Sequence, residues 1–414
     1  MKQIHRRDFL KRALCCAAGV GAWGAFPGLG LSSAHALSGN GRKLLVINMN
    51  GGWDGLSICQ PRSGAAYSTL RALRPTLALP AESLLNLDGR FGLHPRLTTL
   101  QSLYAAGDLA AVFPVGYHHM SRSHEEAEVA YARGVADRLS PNASGFINRL
   151  GSTYSWAGLQ AVSVAGTDRA FQGGEYRGIQ VNGLQGYRFV GANGQSSAEN
   201  NHRRDTIYGL AGLPTNGGSS SVVDVNGSYD ALLNSVDAVH DALQSATFAT
   251  PYQNTLFGRQ FRDIDVLFST PQFGTELGYM RRVGFDTHSN QAPALDSMLL
   301  EFDQALAAFV TNMKAKGLWS KLVVLIISEF GRTNIENGSG GTDHGGAVPV
   351  FAIGGAVAGG IVGEVTQSDL TGEGWLPMRY HIVDVYRQAT ASLGYDPDRV
   401  FERPTAAALP ALFT

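Results

Sequence analysis

The run Leu322–Ser328 reads as a buried β-strand that stops abruptly at chemistry. Glu329-Phe330-Gly331-Arg332 follows at once, and the loop behind it presents Gly341-Thr342-Asp343-His344-Gly345. An apolar strand feeding a carboxylate, an arginine and a glycine-rich loop constrains the chain strongly. In α/β proteins the C-terminal ends of strands open into a crevice where ligand groups collect.

The same pattern occurs three times upstream. Lys43–Met49 leads into Asn50-Gly51-Gly52-Trp53-Asp54-Gly55. Leu109–Val115 leads through Gly116 and Tyr117-His118-His119-Met120 to Ser121-Arg122-Ser123-His124. A strand expected within Thr275–Val283 leads into Gly284-Phe285-Asp286-Thr287-His288. Helical patterns alternate with these runs. The clearest carries Leu295, Met298, Leu299, Phe302, Leu306, Phe309, Val310 and Met313 on one stripe, which reads as core. Val348–Ala352 and Ile361–Val365 read as further strands, and His381–Leu393 as a closing helix. Alternation over the whole length predicts an α/β fold with a largely parallel sheet.

The N-terminus is expected to be a targeting segment. Arg6-Arg7-Asp8-Phe9-Leu10-Lys11 matches the twin-arginine export consensus, a weakly apolar stretch follows, and Ala34-His35-Ala36 offers a cleavage site. The expected organisation is a signal over 1–36 and a single α/β domain over 37–414. That domain carries a Gly/Ser/Asn-rich insertion at about 182–228. The expected location is the periplasm or beyond. Partners are the twin-arginine export machinery and a small anionic ester substrate, with no stable membrane span after cleavage.

The full chain has 3 Cys, of which Cys15 and Cys16 fall in the signal, so the mature protein keeps Cys59 alone and no internal disulfide. At 414 residues and 44% hydrophobic it is long enough for a large core instead. Removing the signal leaves 28 basic against 33 acidic residues, a net charge of −5. That balance argues against nucleic acid as a partner.

The reactive residues at the four strand ends suit a divalent metal, with zinc, manganese or iron expected from the carboxylate and imidazole mix. Asp54, Asp286, His288, Glu329, Asp343 and His344 are the candidate ligands, with Asn50 as an alternative on the first strand. Ser121 or Ser123 is the candidate nucleophile at a helix start, with His124 beside it. Arg122 or Arg332 would clamp an anion. Each has a plainer alternative: a turn for Asp54, helix caps for the serines, an ion pair for Glu329 and Arg332, and loop positions for His118 and His119. A G-x-S-x-G elbow, a P-loop and a Rossmann glycine fingerprint are all absent. Cys59-Gln60-Pro61-Arg62 misses the C-x-P-x-R pattern of formylglycine sulfatases by one place.

Taken together and in order, the five motifs around Asp54, Ser123, Asp286, Glu329 and His344 resemble a bacterial exported family known as domain of unknown function 1501. That family looks related to the alkaline phosphatase and sulfatase superfamily. The resemblance implies a three-layer α/β/α sandwich, alkaline phosphatase-like, with a metal-assisted site hydrolysing phosphate or sulfate esters. It implies Asp54 or Asn50 as first-strand ligand, Ser121 or Ser123 as nucleophile, Asp286 and His288 as a ligand pair, and His344 as the late histidine. The spacing Asp286-Thr287-His288 is shorter than the superfamily's D-x-x-x-H, and Phe330 stands where it often has histidine. These departures weaken a second metal position and leave open a one-metal site, altered chemistry, or an inactive relative that binds or assembles.

Overall fold

The computed structural model describes residues 39–137, 139, 143–176, 178–187 and 234–414, with scattered positions between 198 and 209. The expected signal and most of the expected insertion lie outside the described residues.

Lys43–Met49 (β1), Leu109–Gly116 (β5), Leu277–Arg282 (β8) and Leu322–Ile327 (β9) form as the apolar runs predict. All six residues of β9 and all eight of β5 are buried. Strands covered on both faces read as continuous apolar runs for this reason. Among the described residues the central sheet has nine strands, in the order β11-β5-β10-β9-β1-β8-β6-β7, with β12 also on β5. Here β6 is Ala161–Ser163, β7 Ile179–Gln180, β10 Val348–Ile353, β11 Gly360–Gly363 and β12 Tyr380–His381.

Pairings are parallel except at β10, which runs antiparallel to both β5 and β9. Since β10 runs backwards, its start lies at the edge where the other strands end. A second, three-stranded antiparallel sheet was not expected; it joins Cys59–Pro61 (β2), Leu85–Asn86 (β3) and Phe91–Leu93 (β4).

Alternation along the strands makes the layers. Leu45, Ile47 and Met49 of β1 enter one core together with the helices Leu256–Ser269 and Gln291–Ala315. Leu44 and Val46 enter a second core with the helices His124–Arg133, Phe146–Thr153 and Ile382–Ser392. Helices therefore cover both faces, and the α/β/α arrangement holds. Among the described residues, no helix is long and apolar enough to cross a membrane.

Candidate metal centre

The four strand ends converge. The turn after β1 needs glycine twice: Gly51 (φ +114°) has Asp286 N 2.6 Å from where a Cβ would stand, and Gly52 (φ +65°) has the Phe330 ring at 2.1 Å. That close approach lets the loops after β1, β8 and β9 share one edge.

Asp286, His288 and His344 meet there, with His124 from the loop after β5. Asp286 Oδ1 lies 2.9 Å from His288 Nε2 and 3.1 Å from His344 Nε2. The two Nε2 atoms are 2.9 Å apart. His124, Asp286 and His344 each offer a ligand atom within 4.8 Å of the others. His124 Nε2 is buried, 3.4 Å from Asp286 Oδ2, and makes no hydrogen bond among the described residues.

The outer partners fix how the imidazoles face. His124 Nδ1 lies 2.9 Å from Glu329 Oε1, His288 Nδ1 3.0 Å from Asp343 Oδ1, and His344 Nδ1 2.7 Å from the Arg122 carbonyl. Carboxylates and carbonyls can only accept, so each Nδ1 donates and each neutral ring turns a lone pair on Nε2 inward. His124, Asp286 and His344 bring two such nitrogens and a carboxylate oxygen within 4.8 Å of one another, a donor set that suits a divalent cation, and His288 Nε2 adjoins Asp286 and His344. With both rings neutral, the facing lone pairs of His288 and His344 repel unless a cation or a proton lies between them.

Charge agrees with this donor set. Three carboxylates touch the rings (Asp286, Glu329, Asp343) against one guanidinium, Arg332, which leaves a formal −2 with neutral imidazoles. Burial pushes the Asp286 carboxyl up, but the hydrogen bond and charge of Arg332 outweigh it and hold the group at about 2. His124 is raised, first by its hydrogen bond to Glu329. Phe330, 1% exposed, floors the cluster with its ring centroid 4.8 Å from His124 and 4.9 Å from His344. Asp286 and His288 remain 44% exposed, so the cluster is open on one side.

Several expected roles change. Asp54 is not at the cluster. It is sealed in an ion pair with Arg74 (2.6 Å) and takes further bonds from Ser57 and Gln291, both at 2.5 Å, so its oxygens are already committed. Arg332 is no anion clamp: it is buried, and its N–H groups go to the carbonyls of Gly51, Gly52, Phe285 and Thr342 and to Asp286. Glu329 and Asp343 stand behind the imidazoles rather than among the inward-facing donors. Asn50 is likewise a support, donating to Glu128 Oε1 (2.7 Å) and reaching Glu329 Oε1 at 3.5 Å.

Ser123 occupies the N-cap of His124–Arg133 and is exposed, without a side-chain cap bond. The Ser121 hydroxyl is bonded to Glu126 (2.5 Å). Glu125 and Glu126 fill the first turn, so the positive helix end already faces carboxylates. Arg122 is exposed, with its guanidinium 4.7 Å over the Trp375 ring. His119 pairs with Asp137, and the His118 ring lies tilted 5.2 Å from that of His381. Sequence reasoning missed Arg74 and Gln291, whose bonds to Asp54 span 20 and 237 positions along the chain.

Among curated proteins none matches this sequence. Similar solved structures include three that span most of this chain at low identity. The lipoteichoic acid synthase LtaP from Listeria monocytogenes has 9% identity and TM-score 0.38, over 89% of this chain and 76% of that one. The C-terminal periplasmic domain of EcEptC from Escherichia coli, solved with Zn, has 10% identity and TM-score 0.38, over 91% and 93%. Alkaline phosphatase from the Antarctic bacterium TAB5 has 10% identity and TM-score 0.39, over 86% and 98%. A family model matches residues 42–410, nearly all of the described fold with its cluster, and the chain belongs to that family, described as protein of unknown function (DUF1501).

Proposed function

We propose that this chain is an exported, metal-dependent hydrolase of phosphate or sulfate esters, working with a single divalent cation. One observation carries the reading: three imidazoles, each anchored through Nδ1, turn Nε2 toward the Asp286 carboxylate on an open edge of the sheet. His124, Asp286, His288 and His344 would hold the cation; zinc suits the donor set, and manganese or iron remain alternatives. When bound, it would polarise an ester oxygen and stabilise developing negative charge.

The chain's own residues supply the rest. Ser123 is the better of the two serine candidates, because its hydroxyl is exposed beside His124 whereas that of Ser121 is engaged with Glu126. Arg122 is the remaining guanidinium placed to meet an anionic group, held over Trp375 rather than locked to a carboxylate. Glu329 and Asp343 orient the imidazoles. The Arg6–Lys11 segment supports export.

A second reading, a metal-holding binding protein without turnover, draws on Glu125 and Glu126 at the helix start, which disfavour an incoming anion. Metal analysis of the purified protein, followed by a screen of generic phosphate and sulfate esters, separates the two. Stoichiometric metal with ester cleavage that Ser123→Ala abolishes and Ser121→Ala spares supports the hydrolase. Metal without cleavage of any ester supports the binding protein. Absence of metal overturns both.

A further inference from the structure

A cavity of about 310 Å³ opens where the 25-residue helix Gln291–Ala315 begins. Its size falls at the lower end of small-ligand pockets. Leu77, Leu79, Pro293 and Leu295 give it apolar walls, and His94 borders it. His94 is 8% exposed, and its ring has one polar atom to spare. Nδ1 accepts from the Arg96 N–H (3.2 Å), and burial lowers the imidazole to about 4, so at neutral pH the ring proton stands on Nε2. That N–H makes no hydrogen bond among the described residues, and its nitrogen remains accessible rather than sealed in packing. Buried donors are normally paired, so one that borders a cavity without an acceptor marks a place for a guest.

The guest's chemistry follows from which groups on the walls are already engaged. Ser57 and Gln291 are bonded to Asp54 and to each other, Thr76 donates to Glu336, and Asp296 holds Arg96 through two bonds of 2.7 and 2.9 Å. At the helix start the Gln291 N–H goes to the Gly340 carbonyl and Pro293 has none, but the N–H of Ala292, also on the lining, has no acceptor among the described residues. Two donors are left over, so the guest must bring an acceptor. The helix sets its charge. No acidic residue stands in the first turn, so the positive end of the dipole is uncompensated there. Asp296 is balanced by Arg96, and the neighbouring Glu336 carboxylate is turned onto the N–H groups of Thr76 and Leu77. Phosphate would leave most of its oxygens unpaired against the leucines. A carboxylate on an apolar body matches both donors and walls.

We infer that this cavity binds a small monocarboxylate, its oxygens on His94 Nε2 and the Ala292 N–H and its hydrocarbon part against Leu77, Leu79 and Leu295. The inference rests on neither metal nor turnover.

Calorimetric titration of the full chain with benzoate, butyrate, benzamide and inorganic phosphate tests it. Saturable binding of at least one carboxylate is expected, tighter than that of benzamide or phosphate. His94→Phe keeps a ring and loses the donor, and is expected to weaken binding by about tenfold or more. In the unaltered chain the His94 ring-nitrogen resonances are expected to shift saturably with the same affinity, a readout that needs no variant to fold. His344→Ala, altered at the imidazole cluster, is expected to bind the carboxylate as before. No saturable binding of either carboxylate, equal binding of benzamide, tighter binding of phosphate, undiminished affinity in a folded His94→Phe, unmoved His94 resonances, or loss of binding in His344→Ala overturns the proposal.

Discussion

His288 and His344 confront each other through Nε2 atoms 2.9 Å apart, with Asp286 Oδ1 within 3.1 Å of both. His344→Ala and His288→Ala are expected to abolish stoichiometric zinc uptake, read by competition against a chromogenic chelator. Glu329→Gln keeps every inward nitrogen and loses only the anionic support of His124. It is expected to weaken uptake by about 10- to 100-fold.

Asp54 separates structure from metal binding. Asp54→Asn leaves the Arg74 guanidinium buried and uncompensated, at a cost of about 3–5 kcal/mol in urea denaturation. Metal affinity of the folded variant is expected to be unchanged. Burial raises the Asp54 carboxyl, but Arg74 outweighs it and depresses the group below its ordinary 3.8. The stability it contributes is therefore complete above 3.8 and is lost as pH falls below that value toward the folded one.

Two buried histidines set a second acid limb at higher pH. Burial lowers both His94 and His381 from 6.5 to about 4. Between those values the unfolded chain takes up protons that the folded chain refuses, so stability falls as pH drops from about 6.5 to about 4. Each group contributes on the order of 3 kcal/mol across the window. His124, raised by Glu329, works in the opposite sense but is partly exposed and single. Denaturation midpoints across this range are expected to decline in the native chain and to decline less in His94→Gln.

Gly52 couples backbone to floor. A Cβ there would stand 2.1 Å from the Phe330 ring, at a φ of +65° that side chains rarely adopt. Gly52→Ala is expected to displace Phe330 from under His124 and His344. It should lower thermal stability by a few degrees and weaken metal uptake, whereas Gly64→Ala, with open space around it, changes only stability.

The sequence made the strands legible because β1, β5, β8 and β9 are apolar runs ending at glycine or charge, and their parallel packing gathers those ends. It left the direction of β10 illegible, since a six-residue buried run reads the same both ways. The short strands β2 to β4 fall below any periodicity. Asp286, His288 and His344 could be named because each sits beside glycine or a partner within two residues. Asp54 misled because its partner, Arg74, lies 20 residues on in another element. Arg332 misled because its acceptors are carbonyls, which carry no sequence signature.

Arg332 binds main-chain oxygens from three separate stretches while also holding Asp286, so an organic cation already braces the loops. The loops and the Asp286 carboxylate are thus set before any ion arrives, and the imidazoles need only a ring's motion to close on one. Chelation is expected to leave the site receptive, and reloading to follow simple second-order kinetics, linear in ion concentration, with no slow rearrangement limiting capture.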